Sequence, residues 1–142
     1  MPTVGGTAMT HDEFIGQAQH RARLASRGDA ERATRAVLQT LGERLAGGEP
    51  LDLAAQLPPE IGRHLERMDA GLGVRLSLDD FFDLVATREG VNLPDAVQHA
   101  RAVIAVLGAA VSAGEIRDVR AQLPDAWDRL FVGSEGTMPP AD

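Results

Sequence analysis

The chain has 142 residues, no cysteine and a formal net charge of −7, which suits one compact domain and excludes disulfides, thiolate metal sites and a cysteine nucleophile. The charge is lopsided: residues 1–68 hold nine acids against eight arginines (net −1) and residues 69–142 hold twelve against six (net −6), so no basic stripe speaks for nucleic acid. The longest apolar run, Ala102–Val111, is ten residues, about half of the roughly 20 needed to cross a bilayer.

Residues 1–9 carry neither a basic segment nor an apolar core. They read as a disordered start with no signal peptide, and a cytoplasmic protein without membrane contact is expected. All fourteen basic residues are Arg, a bias that reads as GC-rich coding rather than chemistry. Thr10, with Glu13 three residues on, reads as a capping box for a first helix with Phe14, Ile15, Ala18 and Ala22 on one face. Asp29 is the expected cap of a second helix over about 30–46, and Gly48 its stop, because glycine takes the left-handed conformation cheaply. A two-turn helix is expected at 50–57. Pro58 cannot continue it but can open a fourth helix, 59–68.

Residues 69–76 read as a linker, and then the series starts again. Ser77 and Asp80 precede Phe81, Phe82 and Val85. Asp95 precedes a helix at 96–112, Gly114 follows, and helices at 116–123 and 125–131 flank Pro124. Residues 133–142 read as a disordered tail. Laying Ala30–Leu65 over Ala96–Phe131 at an offset of 66 needs no gap and gives 14 identities in 36 pairs. The expected architecture is therefore an all-α bundle, 10–132, built from a tandem repeat of about 66 residues with four helices per copy: 10–68 and 77–132.

The phrase "LGERLAGGEPLDLAAQLPPEI", doubled as "LGAAVSAGEIRDVRAQLPDAW", resembles the bacterial DUF2267 family over about residues 10–132. The resemblance implies an all-α fold. It supplies no catalytic residues, because the family is functionally uncharacterised.

Polar residues that recur in both copies are the candidates for a site: Arg35, Glu49, Asp52 and Arg63, matched by Arg101, Glu115, Asp118 and Arg129. Two carboxylates three apart share a helix face and could serve a metal or acid–base chemistry. They also sit in a first helical turn, where negative charge meets the positive end of the helix dipole. The structural role is expected, with the acids turned to backbone amides or a repeated arginine. His11, His20, His64 and His99 recur at no partner position and read as surface residues. Trp127 aligns with Ile61 and reads as core. No catalytic, cofactor or metal residue is expected. "AAQLPPEIGRHL" has too little positive charge for a DNA-binding helix-turn-helix.

Gly42 and Gly108 stand inside helices at matching positions, which points to a close helix crossing. Where the first copy has Gln39, Thr40, Glu43 and Arg44, the second has Ala105, Val106, Ala109 and Ala110. That stripe makes one helix apolar all round, so something should cover it. The expected function is a non-catalytic helical interaction module that binds a protein partner, a second copy of itself included. The alternative is a small-ligand-binding protein or enzyme with a pocket between the copies, lined by Arg35, Arg101 and the repeated acids.

Overall fold

The computed structural model describes residues 9–131. Expected disorder at 1–9 and 133–142 falls outside that range except for Met9, which is half-buried against the core. The chain is all-helical: α1 (His11–Ala22), α2 (Arg27–Arg44), α3 (Glu49–Ala54), α4 (Pro59–Gly62) continued by a 3-10 turn (Arg63–Leu65), α5 (Leu78–Glu89), α6 (Leu93–Ala110), α7 (Ala113–Ala121) and a 3-10 segment (Asp125–Phe131). Among the described residues no strand forms beyond one isolated bridge, Ala46 to Leu72. None of these helices is long and apolar enough to cross a membrane.

Local chemistry sets the helix starts. The Thr10 hydroxyl accepts the Glu13 N–H at 3.1 Å and the Glu13 carboxylate accepts the Thr10 N–H at 2.8 Å. Ser77 and Asp80 do the same for α5. The two long helices start earlier than expected. Ser26, not Asp29, caps α2, and Asn92, not Asp95, caps α6. The phrases Ser26-Arg-Gly-Asp29 and Asn92-Leu-Pro-Asp95 each offer two cap residues. Using the earlier one lengthens the helix and leaves the aspartate in the first turn, where the dipole favours its charge.

The helix ends also differ from expectation. Leu45 and Val111 leave α2 and α6 in extended conformation and turn into the core. Gly47 takes the positive φ of 67°. Gly48 caps α3, and Gly114 lies in the first turn of α7 behind its cap, Ser112. The expected helix at 59–68 is regular only to Leu65, which is buried, while Met68 is 95% exposed.

Four helices make the body. α1 packs on α2 and α6, α5 packs on α6 and α2, and α2 packs along α6. The core between them holds Phe14, Leu38, Phe81, Ile104 and Leu107, with Trp127 against Phe81 at 5.1 Å between ring centroids. Trp127 is core, as expected.

The stripe on α6 is covered by the chain itself. Ala105 and Val106 are buried, Ala110 is half-buried and only Ala109 is exposed, so these four residues present no continuous interaction face. The polar counterparts on α2 are used in another way. Thr40 and Glu43 hold the Arg88 guanidinium of α5 at 3.0 Å each, and the Arg44 guanidinium lies 5.6 Å over the Trp127 ring. The close crossing expected at Gly42 is not tight either. A Cβ there would meet Leu65 Cδ2 at 3.6 Å, an ordinary contact, and Gly108 is half-buried.

Candidate functional site

The α1–α2 turn and the α5–α6 turn meet beside the starts of α2 and α6, and a cleft of about 500 Å³ opens between them. Arg23, Leu24, Asp29 and Arg32 line one side; Glu89, Val91, Asp95, Gln98 and His99 line the other. Arg23, the C-cap of α1, is the one non-glycine residue with positive φ among those described (φ 57°). The matching turn after α5 uses Gly90 (φ 80°). An arginine thus stands where glycine is sterically cheaper. Arg32 is held by Asp29 at 2.7 Å.

Two buried side chains close the floor. His99 Nδ1 lies 2.5 Å from Glu89 Oε2, and the residues are only 6% and 4% exposed. Burial pushes the Glu89 carboxyl above the usual carboxylate range, against the pull of the His99 hydrogen bond and charge. This contact holds the ring with its Nε2 edge away from Glu89. Glu89 Oε1 is buried with no partner.

His99 is therefore not the surface histidine expected. The signal was present as a paired departure between the copies. Laid over each other, α1 and α5 place Glu89 at the position of Ala22, a displacement of 67, and His99 stands 66 positions after Ala33; both alanines are core residues. Of the other histidines, His20 is exposed and His11 half-buried near Glu31. His64 is half-buried; burial and the neighbouring Arg63, Arg35 and Arg67 lower its pKa to about 4.

Three of the repeated acids gather at the α3–α7 contact, away from the cleft. Gln56 Oε1 accepts the Ser112 N–H at 2.7 Å, and Gln122 Oε1 accepts the Ala46 N–H at 2.8 Å. Between these straps, carboxylate oxygens of Glu49, Glu115 and Asp118 lie within 4.8 Å of one another. Glu115 is 9% exposed, and the Oε2 atoms of Glu49 and Glu115 are buried without a partner. Burial, then the hydrogen bond and charge of Glu115, then Asp118 and Asp52, push the Glu49 carboxyl up to about 7.

The acids therefore do not turn to amides or arginines as expected. Arg35, Arg63, Arg101 and Arg129 are all exposed and form none of the ion pairs found among the described residues. They do not line the cleft either. Asp52 is exposed and stands outside the close triad. Sequence reasoning missed the convergence because it treated each copy alone, whereas the triad forms only when α3 meets α7.

A family model described as "Uncharacterized conserved protein (DUF2267)" matches residues 11–130. No curated protein matches the chain.

Proposed function

The chain belongs to the DUF2267 family, and from that premise we propose that it is a small-ligand-binding protein whose cleft lies between two copies of one helical unit. The 14 matches in 36 pairs support the duplication. So do the straps, in which Gln56 reaches Ser112 and Gln122 reaches Ala46, each pair displaced by 66 from the other. Asp29 and Asp95, equivalent at that offset, both line the cleft.

The observation that carries the reading is the buried Glu89–His99 pair. Removing two ionisable groups from water costs several kcal/mol per ion, and their attraction rarely returns more than that. The first copy packs the equivalent positions with two alanines, so the fold does not require the pair. A cleft-lining histidine oriented by a carboxylate exchanges protons and hydrogen bonds with a bound molecule. Arg23 and Arg32 offer guanidinium groups to an acidic function, and Leu24 and Val91 offer apolar surface. The ligand class is a small organic acid. No serine, threonine or lysine lines the cleft, so binding is favoured over nucleophilic catalysis.

Thermal-shift screening of organic acids against wild type and the double variant Glu89→Ala/His99→Ala tests this. Compounds should stabilise the wild type and lose that effect in the variant. A screen without such a compound, with the variant as stable as wild type, would leave the pair a packing feature.

A second reading, an interaction module that docks a protein partner or a second copy, rests on one feature. Met68, Leu72 and Val74 are exposed on the segment joining the halves. Mass measured in solution across a concentration series tests self-association: a constant monomer mass removes the second copy as partner.

A further inference from the structure

We propose that Glu49, Glu115 and Asp118 form a binding site for a hard divalent cation, Ca²⁺ or Mg²⁺, at the α3–α7 contact. The site does not rest on the cleft and shares no residue with it.

Three carboxylates from two helices bring their oxygens within 4.8 Å of one another, a separation that two unlike-charged groups seek and like-charged groups avoid. Acidic clusters on a surface relieve this by pointing into water. Glu115 cannot: it is 9% exposed, and its Oε2 is buried with no hydrogen-bond partner, as is Oε2 of Glu49. Buried polar atoms of this kind are rare and call for a partner. Among the described residues, the ion pairs found involve none of the three acids.

The donor set defines the ligand. Oxygen-only carboxylate sites select hard cations. Oxygens within 4.8 Å of one another can share one such cation. Water completes the six to eight ligands that Ca²⁺ takes. Asp52, whose charge reaches Glu49, adds to the negative field. The doubled phrase holds Glu and Asp in both copies because each copy contributes to one site at the contact between them.

Carboxylates bind a cation in their deprotonated form, so cation affinity rises with pH. The test uses the full chain, stripped with chelator and titrated with CaCl₂ or MgCl₂ at pH 7.5 and pH 5.5, read by melting temperature. Ca²⁺ at about a hundredfold above its Kd should raise the melting temperature by roughly 5–10 °C at pH 7.5. The rise should be smaller at pH 5.5. Glu115→Gln and Asp118→Asn should fold in chelator and lose the rise, while Glu60→Gln, a surface control, and His99→Gln in the cleft should keep it. No rise with either cation at either pH, or an equal rise in Glu115→Gln, overturns the site. Because His99→Gln leaves this site intact, failure here and failure of the ligand cleft are read separately.

Discussion

Gln122 holds both polar groups of Ala46: its Oε1 accepts the Ala46 N–H at 2.8 Å and its Nε2 donates to the Ala46 carbonyl at 3.4 Å. The two residues are 76 positions apart, and Gln56 makes the corresponding bond to Ser112 at 2.7 Å. Ala46 lies just beyond α2 and Ser112 just beyond α6, so each glutamine ties the exit of the other half's long helix. A glutamine in a repeated helix-end phrase thus acts as a strap between halves.

Gln122→Ala and Gln56→Ala should each lower stability by about 1 kcal/mol, the net value of one hydrogen bond to a backbone group left without its partner. Gln122→Ala should cost more, because it loses two bonds. Urea denaturation of both variants checks the order; equal stability with wild type would show that water replaces the straps.

Glycine substitutions should split in sign. Gly42→Ala should raise stability by about 0.5–1 kcal/mol, since a Cβ meets only ordinary contacts there and alanine is the better helix former. Gly62→Ala should lower it, because the new Cβ would lie 2.9 Å from the Ala54 carbonyl oxygen. Thermal melts of the pair check both directions.

Stability in chelator should fall as pH rises from about 4.5 to 7 through the Glu49 contribution. Its carboxyl is raised from 4.5 to about 7 in the fold, so the folded state binds the proton more tightly and loses that advantage on ionisation. His64 acts in the opposite sense. Its pKa falls from 6.5 to about 4 on folding, so its contribution is lost as pH drops through that window. Glu49→Gln should flatten the first effect and leave the second, which melts between pH 4 and 8 resolve.

Ala109→Arg should stay folded with an unchanged mass in solution, because Ala109 is exposed. Val106→Arg should unfold the chain, because Val106 is fully buried and a guanidinium there has no partner. Circular dichroism and light scattering on the two variants separate a covered stripe from a dimer seam.

The amino-acid sequence by itself determined that the chain is helical and where α1 and α5 begin. Capping boxes at Thr10 and Ser77, and apolar faces such as Phe14, Ile15 and Ala18, are encoded within a few residues, and the helix is a local hydrogen-bonded structure that responds to such signals. Where two caps competed, at Ser26 and Asp29 or Asn92 and Asp95, local chemistry was nearly balanced and the boundary moved by three residues. The repeated acids were legible as a pattern with a sufficient local reason in the helix dipole, whereas nothing local marked Glu89, and His99 read as a surface residue.

Tertiary structure alone decided what those residues do. Glu89 and His99 are ten residues apart, and their pairing depends on how the α5–α6 turn folds back. Glu49 and Glu115 belong to different halves, and they face each other only because α3 packs on α7. Burial, and with it every shift in proton affinity, is a property of what surrounds a group in space. Neither can be read from a residue's neighbours in the chain, because desolvation and Coulomb forces act through distance and not through sequence.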